Sequence, residues 1–193
     1  MPWILARAHL GAGPGITSDL LRAQVEHLTL IEADPELAGS LRLRMRSTNV
    51  AVVSGDAAAM PFPDAVFSGC AAYTMLHHVP SPELQDAVLR EMWRVLRPGG
   101  EVAGSDSLPN AFMRLIHLGD TFVPVNPDSF AARLEAAGFE VIQVDRTSGL
   151  FRFHARRPQE PRARRTRQGV RNKVDEIHST SRRRGWLTQE ETS

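Results

Sequence analysis

Several features that define whole classes of proteins are missing from this sequence. Cys70 is the only cysteine among 193 residues, so no disulfide can form within the chain, and its apolar surroundings favour a core position over a nucleophile. No apolar run reaches the length that a membrane-spanning helix needs. The N-terminus lacks the basic stretch and long apolar run of a secretory signal. We therefore expect a cytoplasmic protein with no membrane span.

The charges are unevenly distributed along the chain. Residues 156–193 contain 11 basic and 5 acidic side chains, a net charge of +6, whereas residues 1–155 carry −5. The basic segment has almost no apolar periodicity, so it cannot bury enough surface to offset the entropy of ordering. Arginines attract phosphates nonspecifically, but Trp186 is the only aromatic residue from 156 onward, which argues against specific nucleic-acid recognition. We predict a domain at 1–157 and a basic, disordered tail at 158–193.

The hydrophobic pattern alternates between strands and helices. Seven strands are predicted, at 4–10, 28–31, 50–53, 66–73, 101–105, 141–145 and 150–155. Helices are predicted after Thr17, Ser18 and Asp19 as capping residues, from Pro35, from Pro82 with Leu84 on its buried side, within 107–126, and from Asn126. This order predicts an α/β fold: a doubly wound, mostly parallel sheet with an antiparallel hairpin at its C-terminal edge.

A glycine loop follows the first predicted strand. Gly11, Gly13 and Gly15 have no Cβ, so the backbone can turn sharply and approach a phosphate or a carboxylate closely. In a dinucleotide-binding fingerprint the third small residue would fall at Ile16, one position later than Gly15. The spacing therefore tells against a nicotinamide-dependent oxidoreductase, as does the absence of a Tyr-x-x-x-Lys pair, since Lys173 is the only lysine.

Two acidic residues follow the next two strands. Glu32 ends the second strand, at the position where a carboxylate accepts hydrogen bonds from ribose hydroxyls. Asp56 follows the third strand and could accept a hydrogen bond from an adenine amino group. The alternatives are an exposed strand-end charge for Glu32 and a turn or capping residue for Asp56. The order of loop and acids favours a nucleoside-binding site.

Five motifs in succession carry a family resemblance: residues 10–15 (LGAGPG), 31–35 (IEADP), 55–57 (GDA), 75–79 (MLHHV) and 95–100 (VLRPGG). Together they resemble the class I S-adenosylmethionine-dependent methyltransferases, and within these the small-molecule group related to the ubiquinone/menaquinone methyltransferases. The resemblance covers about residues 8–156 and implies a Rossmann-like, three-layer α/β/α fold. It implies S-adenosylmethionine as cofactor, a small or lipid-like molecule as methyl acceptor, and no metal.

The resemblance also implies a set of cofactor-binding residues. The methionine end would lie on the glycine loop, the ribose against Glu32, and the sulfonium between residues after strand four. The implied residues are Gly11, Ala12, Gly13, Gly15, Glu32, Ala33, Asp56, Ala57, Ala72 and Tyr73. His77 and His78 are a titratable pair near this site, with His78 as the candidate general base and packing at the start of a loop as the alternative. Asp106 could face the substrate or be an ordinary loop acid.

The sequence departs from the family pattern at three places. His9 stands where the family has an acid that helps to hold the cofactor's amino end, and Ser68 replaces an acid near the start of strand four. The family also has a helical segment before the glycine loop, whereas this chain begins about ten residues before it, which favours truncation at the N-terminus. The alternative hypothesis is thus a non-catalytic or truncated relative with an impaired cofactor site.

Overall fold

The computed structural model describes residues 6–13, 15–109, 115 and 121–159. Its centre is a seven-stranded sheet of order β3-β2-β1-β4-β5-β7-β6. The strands are β1 (Ala6–Leu10), β2 (His27–Glu32), β3 (Val50–Ser54), β4 (Phe67–Tyr73), β5 (Leu96–Ser107), β6 (Glu140–Arg146) and β7 (Leu150–Arg156). All neighbours from β3 to β5 pair in parallel, and β7 pairs antiparallel with both β5 and β6. The predicted fold class is confirmed, including the antiparallel edge.

Within the described ranges, four α-helices connect the strands: α1 (Ile16–Arg22), α2 (Pro35–Arg44), α3 (Pro82–Val95) and α4 (Pro127–Ala136). A short 3-10 helix, Leu76–His78, follows β4. Asp34, Ser81 and Asn126 cap the last three helices, each accepting hydrogen bonds from main-chain N–H groups of the first turn, with proline directly after the cap. None of the helices in the described ranges has the length and apolar character needed to cross a membrane.

The main hydrophobic core lies between the sheet and helices α3 and α4. Val88, Leu89 and Met92 of α3 are fully buried against it, as are Phe130 of α4 and Phe151 of β7. The rings of Phe130 and Phe151 meet edge to face at 5.2 Å. A smaller cluster around Leu28, Leu30, Leu41 and Met45 packs α2 onto β2. Parallel strands covered in this way read as near-continuous apolar runs, which is the pattern that predicted β4.

Three local predictions are wrong. Helix α1 is capped by Gly15 in a left-handed conformation (φ 82°), without a side-chain cap, so Thr17, Ser18 and Asp19 lie within the helix. Leu84 is 42% exposed rather than buried, because it faces the cleft described below. β5 begins at Leu96 rather than at residue 101, because the β4–β5 register shifts between Phe67 and Gly69 and so accommodates the Pro-Gly-Gly segment within the strand.

Two further predictions concern residues outside the described ranges. The predicted helix within 107–126 falls mostly on them, and the basic tail falls on them from residue 160 onward.

Candidate cofactor cleft

An open cleft of about 910 Å³ runs along the carboxyl ends of β1 to β4. This is the edge where open parallel sheets bind ligands, and the volume is in the range of small-molecule sites, about 300–1,000 Å³. Eight of the ten predicted cofactor-binding residues line it: Gly11, Ala12, Gly13, Glu32, Ala33, Asp56, Ala57 and Tyr73. His78 lines it as well. Residues separated by more than 60 positions in the chain thus meet at one edge of the sheet.

The glycine loop forms one wall of the cleft without contributing side chains. The Gly11 N–H donates a hydrogen bond to the Ile31 carbonyl oxygen at 3.0 Å, which continues the β1–β2 ladder into the loop. Gly11 and Gly13 have φ angles of 59° and 49°, a region that favours glycine. A Cβ on Gly13 would meet no atom within 4 Å, whereas one on Gly11 would lie 2.6 Å from the Cβ of Met75. The loop thus leaves open space for a ligand at Gly13.

Glu32 holds the glycine loop in this shape. Its Oε2 accepts a hydrogen bond from the Gly13 N–H at 2.9 Å, and its Oε1 accepts one from the Asp34 N–H at 3.1 Å. The residue is only 8% exposed. An ionised carboxylate has about four lone-pair sites, so two bonds to the main chain leave acceptor capacity toward the cleft. Glu32 therefore has a structural role that its place at a strand end did not reveal.

Asp56 is a turn residue, one of the two interpretations that the sequence left open, and it also borders the cleft. Its Oδ1 accepts a hydrogen bond from the Ala58 N–H at 2.8 Å, which closes the turn after β3. The same exposed side chain borders the cleft beside Ala57. A carboxylate that shapes a turn can still accept a hydrogen bond from a ligand through its second oxygen.

Gly15 and Ala72 lie apart from the cleft lining. A Cβ on Gly15 would come within 2.7 Å of Leu41 and Arg44 side-chain atoms, so this glycine permits α1 to approach α2 closely. Ala72 is 1% exposed, and its β-ladder partners are Leu10 and Gly104. The next residue of the strand, Tyr73, is the one that reaches the cleft.

His9 is a buried histidine in the lining of the cleft. It is 1% exposed, its Nδ1 lies 3.1 Å from the Ser18 hydroxyl, and its ring meets the Tyr73 ring edge to face at 5.9 Å. Burial lowers the pKa of His9 to about 4, because the imidazolium would lose its hydration. Its Nε2 is buried and has no hydrogen-bond partner among the described residues. A neutral imidazole therefore occupies the end of β1.

The candidate base His78 is held by a buried acid–histidine pair. The Nδ1 of the preceding His77 lies 2.5 Å from Oδ1 of Asp106, which is fully buried at the end of β5. Asp106 also accepts hydrogen bonds from the main-chain N–H groups of His77 and Ser107. Asp106 and His77 therefore hold the 3-10 helix in place, and neither residue lines the cleft. Of the two histidines, only His78 faces the space where a ligand would bind.

The mouth of the cleft is apolar. Ile16, Leu37 and Leu84 line it with exposures of 72%, 42% and 42%, and Met75, Val79 and Pro80 continue this surface. The sequence does not mark these residues as part of a site, because apolar side chains in helical segments have the pattern of core residues. Exposed apolar side chains that gather around a cavity mark a binding surface.

Thr74, the residue after β4, has a backbone conformation that the sequence does not reveal. Thr74 lines the cleft with a φ of 49°, a left-handed conformation that is unfavourable for a residue with a Cβ. Its N–H donates to the Ser105 carbonyl oxygen at 2.7 Å, so the turn is held by β5. Such strain is typical of backbone that is shaped for a site.

The sheet order, the antiparallel β7 and the glycine-loop cleft define a class I S-adenosylmethionine-dependent methyltransferase. S-adenosylmethionine is the cofactor of this class. The chain belongs to the methyltransferase domain family, whose pattern matches residues 8–104. The predicted family and cofactor are thereby confirmed.

Similar proteins agree with this assignment. A demethylmenaquinone methyltransferase of Listeria welshimeri is 44% identical over 63 residues, which are 32% of this chain and 25% of that protein. The match therefore spans about a quarter of the length of that curated relative.

Two solved structures share the fold. A SAM-dependent methyltransferase of Methanosarcina mazei has a TM-score of 0.63 and 18% identity over 80% of this chain and 93% of its own. Human N-acetylserotonin methyltransferase in complex with SAM has a TM-score of 0.64 and 18% identity over 81% of this chain and 48% of its own.

The residues of the cleft fit an adenosyl amino acid. The open space at Gly13 accepts a ligand close to the backbone, and Glu32 and Asp56 have acceptor capacity for a nucleoside. His9 presents a buried polar atom that has no partner within the described ranges. Buried polar atoms in native proteins nearly always have a partner.

Proposed function

We propose that this chain transfers the methyl group of S-adenosylmethionine to a small or lipid-like molecule. The observation that carries the proposal is the single cleft that joins the side-chain-free wall at Gly11 and Gly13 to the carboxylates of Glu32 and Asp56. The membership of the chain in the methyltransferase domain family supports it.

Each wall of the cleft has a proposed role in binding. The backbone of Gly11, Ala12 and Gly13 approaches the methionine end of the cofactor. Glu32 accepts hydrogen bonds from the ribose hydroxyls, and Asp56 accepts one from the adenine amino group. Ala33 and Ala57 supply small apolar contacts, and Tyr73, which lines the same cleft as the loop, stabilises the sulfonium through the π face of its ring.

The protein contributes position and a dry environment to the transfer. When bound, the cofactor supplies an electrophilic methyl group on a cationic sulfur. The chain's own residues hold the acceptor in line with that methyl and exclude water through the apolar mouth at Met75, Val79 and Leu84. His78 takes up a proton where the accepting atom has one to lose. Asp106 and His77 keep the 3-10 helix that carries His78 in place.

The apolar mouth of the cleft argues for an apolar acceptor. Exposed Ile16, Leu37 and Leu84 would gain from burial against an apolar molecule, at roughly 25 cal/mol per Å². Among the described residues that line the cleft, none is a lysine or arginine that could pair with an anionic acceptor. The partial similarity to a demethylmenaquinone methyltransferase is consistent with an acceptor that has a lipid-like tail.

Ligand binding and methyl transfer test the proposal together. We expect S-adenosylhomocysteine to bind in isothermal titration and to raise the midpoint of thermal unfolding, with NADH as the non-binding control. Radiolabelled methyl from S-adenosylmethionine should appear on a quinol with an isoprenoid tail rather than on a charged amine or carboxylate of similar ring size. Binding without transfer to any apolar acceptor would contradict the proposed substrate class.

One observation favours a second candidate, a non-catalytic member of the family with an impaired cofactor site. His9, buried and neutral, gives the end of β1 no negative charge. If that charge is indispensable, S-adenosylhomocysteine will not bind even at millimolar concentration. The same titration therefore separates the two candidates.

A further inference from the structure

A second pocket, of about 530 Å³, lies on the sheet face opposite helices α3 and α4. Phe151 of β7 packs on Phe130 of α4, and side chains alternate along a strand, so Arg152 and His154 point to this other face. Tyr73 lines both this pocket and the cofactor cleft. The two spaces therefore share a wall.

The strand register places four polar side chains in one row across this face. Residues that lie directly opposite each other on neighbouring strands share a face of the sheet. Ser105 is opposite Tyr73 on one side and opposite Arg152 on the other, and Arg152 is opposite Asp145. The row thus crosses β4, β5, β7 and β6, and all four residues line the pocket. Ala103, two residues before Ser105 on the same face, is small and leaves space for a ligand beside the row.

Arg152 and Asp145 present a cation and an anion to the same pocket. Both side chains are exposed, and in the described part of the chain no carboxylate lies within ion-pair distance of Arg152. His154, the other basic side chain of the lining, is 3.6 Å from the Glu101 carboxylate and so has a partner of its own. Arg152 is therefore the cation that a ligand in the pocket would meet.

The mixed charge of this pair selects the kind of head group that fits. A carboxylate would be repelled by Asp145 and an ammonium by Arg152, and such repulsion excludes wrong ligands as effectively as attraction selects right ones. A neutral hydroxyl can accept a hydrogen bond from a guanidinium and donate one to a carboxylate at the same time. The pair therefore favours an uncharged hydroxyl.

The distance along the row suits a ring. Tyr73 and Arg152 are two strand spacings apart, roughly 10 Å, which a one- or two-ring aromatic system with its hydroxyl spans. The Ser105 carbonyl oxygen accepts a hydrogen bond from the Thr74 N–H at 2.7 Å. The floor of the pocket is thereby tied to the turn that lines the cofactor cleft.

We infer that this pocket binds the head of the methyl acceptor, a ring that carries an uncharged hydroxyl. The hydroxyl oxygen accepts a hydrogen bond from Arg152, and its proton is donated to Asp145. The ring lies over Ala103 and Ser105, and its far edge reaches Tyr73. The inference rests on the proposed function, which places the sulfonium at Tyr73, and it deepens that function by naming the chemistry of the head group.

Three ligands of one shape test the head-group preference in the full chain with S-adenosylhomocysteine present: 2-naphthol, 2-methylnaphthalene and 2-naphthoate. NMR titration at pH 7 measures each Kd. We expect 2-naphthol to bind about 10-fold more tightly than either of the others, the range for a hydrogen bond to a charged group.

Two variants assign that preference to the pair. Arg152→Met should bind 2-naphthol no more tightly than 2-methylnaphthalene, and Asp145→Asn should bind 2-naphthoate at least as tightly as 2-naphthol, because the repelling carboxylate is gone. Arg156→Met is the matched control, since Arg156 lies on the same strand and face but pairs with Glu140 outside the pocket lining. It should keep the wild-type order of affinities. All three variants should bind S-adenosylhomocysteine as the wild type does.

The outcomes separate this inference from the proposed function. Equal wild-type affinity for the three naphthalenes, or an unchanged order of affinities in Arg152→Met and Asp145→Asn, would overturn the inference while leaving cofactor binding intact. Failure of the wild type to bind S-adenosylhomocysteine would overturn the proposed function, and with it the assignment of this pocket to a methyl acceptor.

Discussion

The substitution Glu32→Gln probes the contact on which the shape of the glycine loop depends. The Glu32 carboxylate accepts hydrogen bonds from the Gly13 and Asp34 N–H groups at 2.9 and 3.1 Å and is 8% exposed. A glutamine amide offers one acceptor oxygen, and its NH₂ group would face a second N–H donor. The variant therefore loses one charge-assisted hydrogen bond and leaves a nearly buried donor unsatisfied.

The magnitude follows from that loss. Leaving such a group without a partner costs about 1–3 kcal/mol, and a 2 kcal/mol loss lowers the melting temperature of a domain of this size by roughly 4–8 °C. Urea unfolding followed by circular dichroism measures the free energy, and isothermal titration with S-adenosylhomocysteine measures the effect on the cleft. We expect at least a 10-fold weaker Kd, because Glu32 both shapes the loop and contacts the ribose in the proposed complex.

The matched control is Glu26→Gln. Glu26 is 63% exposed, and its nearest ion-pair partner, His27, is 4.0 Å away, so its free energy of unfolding should change by less than about 0.5 kcal/mol. If Glu32→Gln unfolds at the same urea concentration as Glu26→Gln and binds S-adenosylhomocysteine as the wild type does, the role assigned to Glu32 is refuted.

Three other predictions concern stability and reactivity. The pKa of His9 falls from 6.5 in the unfolded chain to about 4 in the folded protein, so the unfolded chain binds more protons between these pH values. The free energy of unfolding should therefore fall by about 3 kcal/mol from pH 7 to pH 4. An equally steep loss in the variant His9→Leu would contradict this. Burial raises the pKa of the Cys70 thiol, so it should react with a thiol reagent only after unfolding. The variant Gly39→Ala, whose new Cβ would lie in open space within α2, should raise the free energy of unfolding by about 0.5–1 kcal/mol. The variant Gly104→Ala, whose Cβ would lie 2.5 Å from Phe153, should lower it. Urea unfolding of both variants checks that the two changes have opposite signs.

The sequence predicted those parts of the fold that depend on local chemistry. Pro35 and Pro82 mark helix starts because proline suits the first turn of a helix. Asn126 marks another because its side-chain oxygen accepts a hydrogen bond from a main-chain N–H group of the first turn. The polar turn before Leu150 marks the hairpin between β6 and β7. Such signals act within a few residues of one another, so they can be read along the chain.

The errors occurred where a distant partner decides the outcome. The sequence predicted Ser18 as a helix-capping residue, yet its hydroxyl forms a hydrogen bond with the His9 ring of β1. Leu84 read as core by its spacing, yet it faces the cleft. The sequence left Asp106 as either a substrate-facing acid or an ordinary loop acid, yet it is buried against His77. In each case the partner is brought in by strand order, which sequence spacing does not reveal.

By itself the sequence determined the alternation of strands and helices, the glycine loop and the acids at the ends of β2 and β3, since periodicity and backbone freedom are local properties of the chain. Only the tertiary structure decided that His9 is neutral, that Glu32 holds the loop, and that His78 rather than His77 faces the cleft. Those outcomes depend on burial and on which nitrogens and oxygens remain without partners. Both are fixed when β1, β2 and β4 come together with the segments that follow them.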